Sequence, residues 1–128
     1  MNKHFKPSGY NSVSPYFIVD DADQFIELMK QIFNATLLRR YDEPGGKIMH
    51  AELKIDDSVI MLGSSSEKFP SIFIVMHVYV ANVEEVFNKA IQVGCEEIQP
   101  PKVSEGDPDK RATFKDIFGN TWSVGTQL

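Results

Sequence analysis

The chain has 128 residues, 42% of them hydrophobic and 24% charged, which suits one soluble globular domain with a single core. A net charge of −5 with no block of like charges argues against non-specific nucleic-acid binding and against an anionic membrane surface. One cysteine, Cys95, cannot make an internal disulfide, and no apolar run approaches a signal peptide or the roughly 20 residues of a membrane span, so the expected location is the cytoplasm.

Residues 1–12 are polar with Pro7 and Gly9 and read as an arm or irregular lead-in; His4 there has no evident role. Residues 13–19 are predicted as a strand, and Asp21 as the cap of a helix, with Gln24 completing a capping box. Phe25, Leu28, Met29, Ile32 and Phe33 recur at helical spacing as one apolar stripe. Residues 36–41 form a second strand, and Asp42-Glu-Pro-Gly-Gly-Lys a loop. Residues 48–55 and 58–63 make a hairpin about Asp56 and Asp57. Residues 64–71 read as a linker.

The second half repeats the order. Residues 72–80 are a strand; Asn82 with Glu85 is a second capping box; Val86, Phe87, Ala90, Ile91 and Val93 supply the helix stripe, and Gly94 ends it. Residues 97–99 are a short strand, 100–109 a long loop, and 111–117 with 121–125 a closing hairpin around Phe118-Gly119. The charged run Asp107-Pro-Asp-Lys-Arg reads as a lid or a solvated turn. Cys95 follows Gly94 with no nearby base and reads as a structural thiol.

The halves correspond residue by residue. Val19-Asp-Asp-Ala-Asp-Gln-Phe reappears as Val80-Ala-Asn-Val-Glu-Glu-Val at an offset of 61, and Ile55-Asp-Asp-Ser-Val-Ile-Met-Leu-Gly as Ile117-Phe-Gly-Asn-Thr-Trp-Ser-Val-Gly at 62. Each unit is βαβββ, residues 13–63 and 72–127 of one domain spanning 13–127, and no glycine-rich phosphate loop follows either first strand. Strand alternation then sorts faces. Ser14, Tyr16 and Ile18 share one face, as do His50, Glu52, Lys54 and Met61; Phe73, Val75, His77 and Tyr79 do likewise, and Phe114 is expected opposite Ser123. The other faces, with Phe17, Val19, Ile60, Leu62, Ile74, Met76, Val78 and Trp122, are expected to pack on the helices.

Two βαβββ units with His50-Ala-Glu-Leu in a third strand and Asp116-Ile-Phe-Gly-Asn-Thr-Trp near the end resemble the vicinal oxygen chelate superfamily. This is the group of glyoxalase I, bleomycin- and fosfomycin-resistance proteins and extradiol dioxygenases. Val19-Asp-Asp-Ala-Asp, Lys47-Ile-Met-His-Ala-Glu-Leu and Asp57-Ser-Val-Ile-Met-Leu are similar to its PhnB-like glyoxalase-domain branch. The resemblance covers residues 12–127 and implies an α+β fold, tandem βαβββ units forming a curved mixed-sheet cup that holds a ligand. It also implies a homodimer.

In metal-using members, as the resemblance implies, the first and last strands of each unit carry the ligands. The matching positions here are Ser14, Met61, Val75 and Ser123, a set poor in the imidazole and carboxylate donors such a site needs. No cofactor is therefore expected, although a shifted metal site of His50, Glu52 and His77 is an alternative. His50 and Glu52, two apart on one strand, read either as a general base with its orienting carboxylate or as a polar network with Lys54 and His77. Tyr16, Tyr79 and Phe114 read as aromatic walls for a flat or apolar small molecule, or as core filling. Three functions follow: metal-free binding of a small, partly aromatic molecule, with Ser14, Tyr16, Met61, Val75, His77, Tyr79, Phe114 and Ser123 lining the site; a metal- or His50/Glu52-dependent lyase or isomerase; and a non-catalytic scaffold with a filled cup. A demethylating methyltransferase finds no cofactor motif.

Overall fold

The computed structural model describes residues 4–128; residues 1–3 of the expected arm lie outside the described residues. The chain divides into two compact units, one running to Ile72 and the other from Phe73 to Leu128 together with residues 31–33.

The first unit is built from β1 (Tyr16–Val19), α1 (Ala22–Phe33), β2 (Thr36–Asp42), β3 (Ile48–Ile55) and β4 (Ser58–Ser64). Its sheet runs β1-β4-β3-β2, with β1 parallel to β4 and the other pairs antiparallel. Asp21 caps α1, its carboxylate accepting from the Gln24 amide. Asn34 ends the helix at φ 54°, a left-handed position that asparagine tolerates better than most residues. The apolar stripe is buried as expected, and the Phe25 ring lies 4.9 Å from that of Phe17 on β1. Pro15 has no N–H to extend the ladder, so β1 starts at Tyr16 rather than at residue 13, and Ser14 falls outside it.

The lead-in and the segment after β4 are both tied to this sheet. Asn11 accepts from the Val59 amide and donates to the Val59 carbonyl, while Ser65 and Ile72 donate to the carbonyls of Val19 and Ile18.

The second unit repeats the pattern with β5 (Val75–Tyr79), α2 (Val83–Gln92), β6 (Glu96–Val103), β7 (Asp109–Lys115) and β8 (Thr121–Gln127), in the order β5-β8-β7-β6. Asn82 caps α2 by accepting from the Glu85 amide, and Gly94 at φ 109° follows its end. Strand β6 is longer than its sequence suggests and includes Pro100 and Pro101. It is an edge strand, and its pairing with β7 is irregular between Gln99 and Lys102, so the prolines interrupt no ladder they need.

The closing hairpin departs from expectation in register. Asp116 and Asn120 bracket a loop of Ile117, Phe118 and Gly119, so Lys115 pairs with Thr121, Phe114 with Trp122 and Thr113 with Ser123. A turn longer by one residue flips every side chain on β7 relative to β8. Phe114 is therefore fully buried beside Trp122, and Phe33 joins them with its ring 5.1 Å from Trp122 and 6.3 Å from Phe114.

Asp116 organises this turn. Its carboxylate accepts from the amides of Phe118 and Asn120, from the Asn120 side chain and from the Trp122 indole, and the Asn120 side-chain Oδ1 accepts from the Ile74 amide. Asp116 and Asn120 are thus a buried structural knot beneath a turn whose Ile117 is exposed. Cys95 is buried too, and burial, aided by the Asp116 charge, pushes its thiol up to about 12, which leaves it inert as a nucleophile.

Candidate functional site

The first unit gathers its polar chemistry on the sheet face away from Phe17 and Phe25. Pairing of Glu52 with Arg39 and Met61, and of His50 with Tyr41, aligns these side chains across three strands, and Tyr16 pairs with Met61 from the fourth. Glu52, only 5% exposed, is the hub. The Tyr10 hydroxyl donates to its Oε1 at 2.5 Å, His50 Nε2 lies 2.8 Å from Oε2, and Arg39 Nε is 3.7 Å from Oε1. On its other side His50 Nδ1 sits 2.9 Å from the Tyr16 hydroxyl.

Burial would raise the Glu52 carboxyl, but hydrogen bonds from Tyr10 and His50 and the charges of His50 and Arg39 outweigh it and hold it below the usual carboxylate value. An ionised Glu52 can only accept, so His50 donates to it through Nε2–H. The result is a hydrogen-bonded chain of the Tyr16 hydroxyl, His50 and Glu52, closed by Tyr10. Hydroxyl, imidazole and carboxylate stand in the order used to activate a hydroxyl in nucleophilic or acid–base chemistry. The chain holds Tyr10 and Tyr16 as protonated hydroxyls: the hydrogen bond to Glu52 raises Tyr10, and burial and then the Glu52 charge raise Tyr16.

Ring faces frame the chain. Tyr16 and Tyr41 lie 5.5 and 6.1 Å from the His50 ring, Tyr41 stacked on it, and Tyr16 and Tyr41 are 40% and 50% exposed. The Arg39 guanidinium covers the Tyr10 ring at 5.2 Å. Gly63 matters here because a Cβ would fall 3.1 Å from the Tyr16 hydroxyl and 2.7 Å from the Met49 carbonyl.

Because Glu52 titrates lower when folded, its network stabilises fully above the unfolded value of about 4.3, and that contribution is lost as pH falls through the folded value. Thermal melts of the wild type are expected to stay flat down to about pH 5 and to drop below about pH 4. A Glu52→Gln variant is expected to show the smaller drop; parallel acid limbs for the two proteins would contradict the assignment.

In the second unit the corresponding face carries a different set. His77 Nδ1 lies 3.0 Å from the Ser123 hydroxyl, and the His77 ring meets Tyr79 edge-on at 4.8 Å. Tyr79 donates to Asp109 at 2.7 Å, and Arg111 bridges Asp107 and Asp109 at 2.7 and 3.0 Å. The hydrogen bond to Asp109 raises the Tyr79 hydroxyl. The charged run at 107–111 is therefore stitched into the sheet, with Asp109 3% exposed in β7. At an offset of 61, Tyr16, His50 and Glu52 correspond to His77, Arg111 and Thr113, so the hydroxyl–imidazole–carboxylate chain belongs to the first unit.

Several expected site residues are placed otherwise. Phe114 is core rather than a wall, for the register reason above. Ser14 lies outside β1, its hydroxyl 2.7 Å from the Asn11 amide nitrogen. Val75 opens β5 opposite Thr121 and is 73% exposed. Ser14, Met61, Val75 and Ser123 offer two hydroxyls, a thioether and no donor at all, which does not fit a hard divalent ion. Among the described residues no three His, Cys, Asp or Glu side chains are gathered to hold a metal; of the shifted set, His50 and Glu52 lie in the first unit and His77 in the second. Tyr10, Arg39 and Tyr41 escaped the sequence reading. Tyr10 lies in a segment without periodicity, and irregular pairing between β2 and β3 hides the partners of the other two.

A family model described as Glyoxalase/Bleomycin resistance protein/Dioxygenase superfamily matches residues 9–124. An uncharacterised protein of Mycobacterium bovis is 29% identical over 125 residues, covering 89% of this chain and 82% of its own. Among solved structures, a Pseudomonas aeruginosa protein superposes with a TM-score of 0.75 at 22% identity, over 91% of this chain and 98% of that one. A Listeria monocytogenes fosfomycin resistance protein complexed with Mn(II) and sulfate superposes at 0.71 with 14% identity, over 96% and 93% of the two chains. These likenesses show the fold.

Proposed function

The chain belongs to the Glyoxalase/Bleomycin resistance protein/Dioxygenase superfamily, and from that premise we propose that it binds a small, partly aromatic molecule without a metal, on the Tyr16–His50–Tyr41 face of its first unit. The observation that carries this reading is the completed chain from Tyr10 through Glu52 and His50 to Tyr16, flanked by exposed aromatic rings. Such a surface offers ring faces for stacking and one oriented polar group for orientation. It uses the imidazole and the carboxylate on each other, which removes the strongest donors on that face from metal binding. The chain works here as a homodimer in the cytoplasm, pairing through edge strands such as β2, where Leu37 and Leu38 are exposed.

Native mass spectrometry of freshly purified protein, with elemental analysis, tests both parts. The expected species is twice the 14.5 kDa chain, with no stoichiometric divalent metal and an organic mass lost on denaturation. A retained zinc, nickel or manganese ion, or a monomer at high concentration, would contradict it.

A second reading, acid–base catalysis by the same residues, is favoured by the order hydroxyl, imidazole, carboxylate. Chemical change of the retained molecule on incubation, abolished by His50→Ala, would distinguish it from binding alone.

A further inference from the structure

The polar hub of the first unit already holds a phenol, and that phenol belongs to the chain itself. Glu52 is 5% exposed; its Oε1 accepts from the Tyr10 hydroxyl at 2.5 Å, and its Oε2 lies 2.8 Å from His50 Nε2. The Arg39 guanidinium stands 5.2 Å from the centre of the Tyr10 ring, a cation over a π-face. Tyr10 is no part of the sheet; it comes from the lead-in before β1. We propose that Glu52 and Arg39 form a phenol-binding subsite of the ligand site, that Tyr10 fills it in the resting chain, and that the aromatic hydroxyl of an incoming ligand displaces Tyr10 to bond Glu52. This deepens the ligand-binding reading above and rests on it.

Three observations carry the displacement. The first is how Tyr10 is attached. Residues 4–9 are exposed, and their turn closes on itself, the Tyr10 amide donating to the Pro7 carbonyl at 3.2 Å and Lys6 to the Ser12 hydroxyl at 2.8 Å. Gly9, at φ 82°, supplies the bend. Asn11 is anchored separately, through the amide and the carbonyl of Val59, so Tyr10 can swing out while the chain beyond it stays in place.

The second observation is what the seat requires. With Tyr10 withdrawn, Oε1 keeps only the longer contact to Arg39 at 3.7 Å, and a buried carboxylate oxygen short of donors is costly. A neutral hydroxyl restores the missing bond without adding charge beside Arg39 and Glu52. An aryl ether brings no proton to an ionised carboxylate, which can only accept. The hydrogen bond to Glu52, and then burial, raise the Tyr10 hydroxyl, and a phenol in its place is held protonated for the same reasons. The third observation is position. Arg39 pairs with Glu52 and Tyr41 with His50, so the seat adjoins the Tyr41–His50 ring stack and one ligand can span both.

A seat filled nine times in ten lowers an outside ligand's apparent affinity about tenfold, because only the open fraction binds. Phenol and anisole, nearly one shape with and without the donor, test this by amide chemical-shift titration at pH 7 on the wild type and on full-length Tyr10→Ala. The variant is expected to bind phenol at least about tenfold more tightly than the wild type and to show no such gain for anisole. In the wild type, phenol is expected to move the Gly9 and Tyr10 amides together with those of Arg39 and Glu52. Equal phenol affinity for the two proteins overturns the proposal, as does an equal gain for anisole, or saturation of the wild type with the Gly9 and Tyr10 signals unmoved. That last measurement decides even if the variant fails to fold. Phenol shifts at Tyr16, His50 and Tyr41 with the lead-in unmoved sink the displacement alone, whereas no shifts anywhere in the first unit sink the ligand-binding reading with it.

Discussion

Replacing Asp116 with alanine is expected to cost about 3–5 kcal/mol of folding stability, the largest loss from any single polar change in this chain. The carboxylate is 4% exposed and receives four donors, two backbone amides, the Asn120 amide and the Trp122 indole. Alanine removes the acceptor from all of them at once, in a place water does not reach, and each loss of a buried partner costs about 1–3 kcal/mol. Asp116→Asn keeps one carbonyl oxygen and is expected to lose roughly half as much. Urea unfolding followed by the emission of the single tryptophan, which belongs to the same network, reads the effect directly. A loss below about 1 kcal/mol would mean that the turn is held by its backbone alone.

Replacing His50 with alanine is expected to weaken binding of an aromatic hydroxyl probe by about ten- to fiftyfold, some 1.4–2.3 kcal/mol. The side chain joins both ends of the chain, 2.9 Å from Tyr16 and 2.8 Å from Glu52, and its ring is the surface on which Tyr41 stacks. Without it the Tyr16 hydroxyl loses its imidazole partner, and the ordering of the aromatic faces is lost with it. Glu52 keeps Tyr10 and Arg39 as partners, so the fold is expected to survive with a modest loss of stability. Calorimetry with 1-naphthol on both proteins gives the ratio; equal affinities would place the ligand elsewhere.

Periodicity made the repeated βαβββ order, both helix caps and the pairing of Glu52 with Met61 legible, because helix stripes and a two-residue turn leave local signatures. The step from an offset of 61 to one of 62 contained the remaining information about the second hairpin. It marks one residue inserted between β7 and β8, and placing the turn at Phe118-Gly119 instead of 117–119 turned Phe114 from core to wall. Long-range pairings left no such trace. Nothing local to Tyr10 says that it reaches Glu52, forty-two residues away, and the irregular register between Leu37 and Arg39 hides the alignment of Arg39 with Glu52. Pro100 and Pro101 signalled a loop because a proline gives up a donor, a penalty that disappears on an edge strand.

The central claim is that the first unit binds an aromatic molecule on the Tyr16–His50–Tyr41 face without a metal. Amide chemical-shift mapping of 1-naphthol on chelator-treated protein tests it most directly. The account expects saturable shifts centred on Tyr16, Tyr41, His50, Glu52 and Gly63, with an affinity unchanged when a divalent ion is added back. Shifts confined to other residues, or binding that appears only after metal is restored, would contradict it.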